Sequence, residues 1–186
     1  MAPRRRRGAG GAAVGCDNAR PPPDPEPPLK TLALFADVQN LYYTVRQAYG
    51  CHFNYAALWS ELSREGRIVE AYAYAIERGD PRQQQFQQIL RNLGFEVKLK
   101  PYIQRSDGSA KGDWDVGITI DVLDAVARVD EIVLCSGDGD FDLLLQRVRA
   151  QGKTAAAYGV PGLTAQALIR SATRYVPIEG ELLLRH

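Results

Sequence analysis

From Thr31 onward, apolar and polar positions switch between two periods, one suited to buried strands and the other to amphipathic helices. Leu32-Ala33-Leu34-Phe35-Ala36 is an unbroken apolar run closed by Asp37. Ile132-Val133-Leu134-Cys135 is a second, closed by Ser136-Gly137-Asp138-Gly139-Asp140. Such runs read as parallel strands with both faces covered. Further strands are predicted over 68–76, 95–102 and 154–158, with a short edge strand over 175–178. Helices are predicted from about Gln39, over 53–64 with Asn54 as N-cap, and from Asp80-Pro81 to Leu93 with Gly94 closing the last turn. Three more follow over 113–129, 140–150 and 163–172, and 104–111 reads as a polar, glycine-containing loop. In 113–129, Val116, Ile120, Leu123 and Ala127 recur at i, i+4, i+7 and i+11, a stripe expected to face the core. No internal repeat is visible.

Alternating βαβ units imply an α/β fold, with a mostly parallel sheet, helices on both faces and right-handed crossovers. Ligands of such sheets sit outside the carboxyl ends of the strands, where the strand order reverses. If the first and fourth strands are neighbours there, Asp37 and Asp138 face one crevice. Periodicity alone does not establish that adjacency.

Composition adds a boundary. The 186 residues are 45% hydrophobic, enough for one domain with a real core. Residues 1–30 differ: Arg4-Arg5-Arg6-Arg7, a Gly/Ala stretch and a proline-rich run offer almost nothing to pack, and read as a disordered arm. Residues 31–178 read as the domain and 179–186 as a C-terminal tail. The arm holds six basic and three acidic residues, which leaves 17 basic against 19 acidic for the rest. The folded part is therefore no basic nucleic-acid sponge, and phosphate attraction must come from a local patch, bound metal or the arm. The stretch after the four arginines is too short and glycine-rich for an export signal. No segment approaches the roughly 20 apolar residues that span a bilayer. Cys16, Cys51 and Cys135 are odd in number and far apart, and only His52 and His186 could join them. That argues against zinc or a disulfide framework and for a cytoplasmic setting.

The candidate chemistry lies in three acidic corners. Asp37-Val38-Gln39-Asn40 ends the first strand; a lone aspartate there often only caps the helix, but Asn40 could turn its amide into the same crevice. In Ser136-Gly137-Asp138-Gly139-Asp140-Phe141, two glycines allow close backbone approach and two aspartates can reach one cation. Asp140 could equally cap the next helix. In Lys111-Gly112-Asp113-Trp114-Asp115, Asp115 in a first helical turn is favoured by the helix dipole, and Asp121 lies about 9 Å further along the axis. Lys111 could hold a phosphate. Trp114 could stack on a base, although a half-buried core contact is the commoner role for such a residue. Asp124 and Arg128 are spaced for a surface pair. Carboxylate oxygens at three corners suit a hard cation such as Mg²⁺ or Mn²⁺.

Asp37-x-x-Asn40, Lys111-Gly-x-x-Asp115 with Asp121 beyond, and Ser136-Gly-Asp138-x-Asp140-Phe141 resemble, in order and separation, the NYN domain, specifically its LabA-like branch within the PIN-like nuclease superfamily. The resemblance runs from about Lys30 to Pro177. It implies a Rossmann-like, three-layer α/β/α sandwich with strand order 3-2-1-4-5 and an acidic site for Mg²⁺ or Mn²⁺ that serves RNA processing. By the motif, Asp37, Asp115 and Asp138 are the principal metal and catalytic carboxylates, supported by Asp140 and Asp121, with Asn40, Lys111 and Ser136 toward substrate. Asp113 is an extra acid in the pattern, which leaves open whether it or Asp115 meets the metal.

The expectation is a metal-dependent ribonuclease of two-metal type, with single-stranded RNA as partner, no membrane and no small-molecule cofactor, and a homodimer left open. The alternative is a non-catalytic RNA-binding or regulatory module that keeps the pocket without turnover. Two other metal-enzyme classes fit less well. An aspartyl-phosphatase wants D-x-D at the first strand, where Asp37-Val38-Gln39 lacks it, and a Toprim domain wants a glutamate there.

Overall fold

Leu32, Ala33, Leu34, Phe35 and Ala36 are fully buried because their strand, β1 (Thr31–Asp37), runs through the middle of a sheet covered on both faces. The fold, taken from a computed structural model, is described for residues 29–101, 103–104, 110–111 and 113–185, with backbone alone at 103–104 and 110–111. Parallel neighbours flank β1: β3 (Arg67–Glu77) on one side and β7 (Glu131–Cys135) on the other. Adding β4 (Glu96–Pro101), β8 (Thr154–Gly159) and β9 (Arg174–Pro177) completes a parallel six-stranded sheet of order β4-β3-β1-β7-β8-β9. The expected order of five strands is therefore present, with the short strand at 174–177 as a sixth at the edge. The register Ala36↔Cys135 sets Asp37 beside Ser136 at the carboxyl ends of the two central strands.

Alternate residues of β1 face opposite cores. Leu32, Leu34 and Ala36 pack with Leu41 and Val45 of α1 (Val38–Tyr49), Leu58 and Leu62 of α2 (Tyr55–Glu65) and Leu90 of α3 (Pro81–Leu93). Ala33 and Phe35 pack with Ile118 and Val122 of α4 (Asp115–Ala125), Leu145 and Val148 of α5 (Asp142–Ala150) and Leu168 of α6 (Gln166–Ser171). Each fully buried leucine contributes about 1.5–3 kcal/mol. This is a three-layer sandwich.

The caps read from sequence are present. Asn54 Oδ1 accepts from Ala57 N at 3.0 Å, and Asp80 Oδ1 accepts from Arg82 N at 2.9 Å ahead of α3. Gly94 closes α3 at φ +115°, and a Cβ there would lie 2.6 Å from the Trp59 ring, so glycine is required twice over.

Several local expectations are corrected. The stripe Val116, Ile120 and Leu123 faces outward, at 68%, 53% and 40% exposure, whereas Ile118, Val122 and Ala125 are buried. Both stripes have helical spacing, so the pattern could not choose between them; the sheet did. The helix expected over 163–172 is the shorter Gln166–Ser171, and that over 113–129 ends at Ala125 before a 3-10 turn, Val126–Arg128. Within the expected loop, β5 (Ile103–Gln104) pairs with β6 (Ala110–Lys111). Arg128 uses its guanidinium on Glu70, at 2.8 and 3.0 Å, and meets only the backbone oxygen of Asp124. Residues read as a tail pack back: Leu182 and Leu183 are buried, and β10 (Leu183–Leu184) pairs antiparallel with β2 (His52–Phe53). Of the arm read over 1–30, residues 1–28 lie outside the described residues, but Lys30 continues the central strand β1, where its carbonyl accepts from Arg67 N of β3.

Candidate metal centre

The carboxyl ends of β1 and β7 carry the acids, and local hydrogen bonds aim them. Asp37 caps α1: its Oδ1 accepts from Asn40 N at 3.1 Å, and its Oδ2 accepts from Ser136 Oγ at 3.2 Å. Ser136 Oγ in turn accepts from Asp138 N at 3.2 Å. Asn40 Oδ1 accepts from Gly137 N at 2.9 Å, so the first strand's turn holds the fourth strand's loop by its backbone. A Cβ on Gly137 would sit 2.9 Å from the Leu163 carbonyl, too close to tolerate, which explains that glycine. Ser136 is fully buried, and its hydroxyl is engaged between Asp37 and Asp138. That arrangement suits positioning Asp37 and Asp138 rather than the substrate contact expected from the motif.

Asp140 does not cap α5, which has no side-chain cap; Asp138 caps the 3-10 turn ahead of it. Asp138 Oδ1 accepts from Asp140 N at 3.0 Å over the turn Gly139–Phe141, and buried Phe141 anchors that turn in the core. The third corner is pinned by Trp114. Its indole N–H donates to Ala75 O at 2.9 Å, its ring centroid lies 5.3 Å from that of Tyr74, and Lys100 Nζ sits 4.3 Å above it. Lys100 also donates to Asp113 O at 2.8 Å. Trp114 is therefore a half-buried anchor that sets the start of α4 over the sheet edge, and with it Asp115.

Together these devices bring Asp115, Asp138 and Asp140 close, with a carboxylate oxygen from each within 4.8 Å of the others. Asp37, Asp113, Asp115 and Asp138 share one open cleft of about 470 Å³ with Asn40, and Arg78 supplies a cation to that lining. Burial and then the charges of Asp138, Asp113, Asp37 and Asp140 push the Asp115 carboxyl up to about 6. Burial raises Asp37 as well, against the hydrogen bonds from Asn40 and Ser136. An acid raised by its neighbours marks a site short of positive charge, and all the donors are hard oxygens. The residues present fit a hard divalent cation. Asp113 lines the cleft but is exposed and stands outside the group of three.

Asp121 is not brought to this cluster. Its Oδ2 accepts from Tyr74 OH at 2.7 Å and from Lys98 Nζ at 2.6 Å, so it is already neutralised two turns away. The side chain of Lys111 lies outside the described residues. Sequence reasoning missed Arg78 and Tyr43, which line the cleft together with the acids. Tyr43 had a usable signal: Leu41 and Val45 form the core stripe of α1, which turns Tyr42, Tyr43 and Arg46 outward. Arg78 follows the end of β3 and has no such pattern.

The NYN domain profile matches residues 31–179, nearly the whole described chain. The chain belongs to the NYN-domain family. It is similar to the low amplitude and bright protein LabA of Synechococcus elongatus, at 31% identity over 159 residues, covering 79% of this chain and 83% of LabA. A crystal structure of a protein of unknown function from Vibrio parahaemolyticus superposes with a TM-score of 0.80 at 52% identity, covering 84% of this chain and 97% of that one. The chain is thus a PIN-like, nuclease-type module of a nucleic-acid-related family whose nucleases typically use divalent metals. Among the described residues, no helix is long and apolar enough to cross a membrane.

Proposed function

We propose that this NYN domain is a metal-dependent ribonuclease that hydrolyses phosphodiester bonds of single-stranded RNA. The observation that carries the reading is the meeting of Asp37, Asp115, Asp138 and Asp140, from three distant stretches of chain, beside one cleft. Asp115, Asp138 and Asp140 would hold Mg²⁺ or Mn²⁺, with Asp37 lining the same cleft. A divalent cation bound there supplies Lewis acidity, offsets phosphate charge and lowers the pKa of a water.

The chain's own residues do the rest. Without a cation, clustered carboxylates repel a phosphodiester by Coulomb forces of roughly 1–4 kcal/mol per pair at 4 Å. A phosphate set among these acids is therefore disfavoured until the cation is loaded, while nucleotides bound beyond them are not. Ser136 and Asn40 keep Asp37, Asp138 and the Gly137 backbone in one arrangement, so little reorganisation is needed when a phosphate arrives. Arg78, on the lining of the same cleft, offers its positive charge to the phosphate. His52 lines the neighbouring groove rather than the cleft, and no hydroxyl-histidine pair stands by the acids among the described residues, so a covalent route through a side chain has no support.

The test is cleavage of an end-labelled single-stranded RNA of 20 nucleotides with Mn²⁺, Mg²⁺ or EDTA, by the chain and by Asp138→Asn. Cleavage that needs metal and is lost in the variant supports the proposal. RNA binding without turnover under either ion leaves the regulatory module instead.

A further inference from the structure

Beside the acidic cleft runs a second groove of about 680 Å³, between α1 and the end of β3. Nothing in the metal chemistry uses it. Its wall carries Tyr42 and Tyr43, exposed at 45% and 50% despite their size, with Arg46, His52, Arg78 and Arg82. The Tyr42 ring stacks on His52 with centroids 6.1 Å apart, meets Tyr43 edge-on at 5.4 Å and has the Arg46 guanidinium at 6.0 Å. Arg78 Nη2 reaches Tyr43 OH at 3.5 Å. Gln39, Tyr43, Ile76 and Arg78 line both the groove and the acidic cleft, so the two are one continuous surface.

We infer that this groove binds the nucleotides flanking the scissile phosphate, in a single-stranded nucleic acid whose bases stack on Tyr42 and Tyr43 and whose phosphates meet Arg46, Arg78 and Arg82. The inference rests on the nuclease reading for its orientation, and it names the form of substrate that site accepts. Three observations commit it to this occupant. Exposed rings beside guanidinium groups match the alternation of base and phosphate along a strand. Three arginines and one aspartate line the groove, while the domain as a whole is slightly acidic. The shared lining requires a ligand long enough to touch both places at once. A duplex presents no unstacked base to such rings.

The groove is well supported. Gln83 Oε1 accepts from Arg78 N at 2.8 Å, and its amide donates to the Ile76 carbonyl, clamping the end of β3. Leu41 and Val45 seat α1 on the sheet, so the outward residues of that helix can be changed without opening the core.

Fluorescence anisotropy in EDTA, where no turnover occurs, tests the groove on the full chain. The probes are a fluorescein-labelled 12-nucleotide RNA, the DNA of the same sequence and the 12-base-pair duplex. Both single strands are expected to bind more tightly than the duplex. Tyr42→Ala and Arg46→Ala each weaken single-strand binding about tenfold, Tyr42→Phe leaves it near wild type, and Arg170→Ala, on α6 across the sheet, changes it less than twofold. Binding through the groove by RNA alone narrows the ligand and still supports the inference. Equal affinity for the duplex overturns it, as does wild-type binding by Tyr42→Ala, an equal loss in Arg170→Ala, or no binding of either strand. Groove-dependent binding by a chain that never cleaves RNA supports the groove and removes the nuclease reading.

Discussion

The two ends of the central strands treat carboxylates in opposite ways. At the amino ends, Glu131 is 1% exposed yet fully satisfied: Lys30 Nζ lies 2.7 Å from one oxygen and Arg174 Nε 3.2 Å from the other. Arg174 continues to Glu65 at 2.6 Å, and Asp130 accepts twice from Thr31, which lowers its carboxyl. At the carboxyl ends, the acids face one another, and Asp115 is raised to about 6. Acids that hold the fold together bring their cations within the chain. Acids that serve chemistry are left in deficit, and the deficit is what a divalent ion would fill. Asp121, paired with Lys98, belongs to the first kind although its motif suggested the second.

Changing an acid of the deficient end gives the largest expected effect. Asp138→Asn lowers metal-dependent RNA cleavage by about 100-fold or more, since even residues that only support a ligand are worth about 10–100-fold. Its thermal midpoint in EDTA should not fall; a variant that unfolds instead would make Asp138 a structural acid and erase the contrast.

Metal and pH act next. In EDTA, the raised carboxyls of Asp115 and Asp37 mean that the folded protein binds more protons than the unfolded chain. The stability they contribute is fully present below about pH 4 and, for Asp115, is lost as pH rises through about 6. Adding Mn²⁺ at pH 7.5 should raise the melting temperature by about 5 °C or more at 100-fold excess over Kd, with a smaller rise at pH 5, where protons compete for the same oxygens. Differential scanning calorimetry at both pH values, with and without Mn²⁺, reads this directly. An unchanged midpoint at pH 7.5 would count against a cation site.

At the satisfied end, Arg174→Ala leaves Glu131 buried with Lys30 alone. About 2 kcal/mol of stability should be lost in urea unfolding, below the range for fully buried pairs because Arg174 is 34% exposed. The Mn²⁺-induced shift should survive that change. Ser136→Ala removes the hydroxyl between Asp37 and Asp138 and should lower kcat about tenfold at constant KM, because it touches no substrate. A raised KM would return Ser136 to the substrate side. The smallest effect belongs to Asp121→Asn: less than threefold on cleavage and under about 1 kcal/mol on stability, as for a partly exposed pair. Loss of cleavage there would place Asp121 in the site.

Much of the candidate site was legible in the order of residues. Asp37, Asp138 and Asp140 close apolar strands, and Asp115 opens a helix; each position follows from local pattern. What each acid does was less legible. The motif set Ser136 toward substrate, yet the register Ala36↔Cys135 buries it against Asp37. The aromatic groove went unseen because its residues come from α1, β2, the end of β3 and the start of α3, which no single window contains.

By itself the amino-acid order determined the alternation of strands and helices, the caps at Asn54, Asp80 and Gly94, and which carboxylates end the strands. These depend on neighbours within a few residues, where dihedral preference, capping and periodicity act. Only the tertiary structure decided which stripe of α4 is covered, which acids carry an internal cation and which residues complete the groove. Those outcomes depend on strand order and on contacts across the sheet, as between Asn40 and Gly137 or Lys98 and Asp121, between residues distant in the chain.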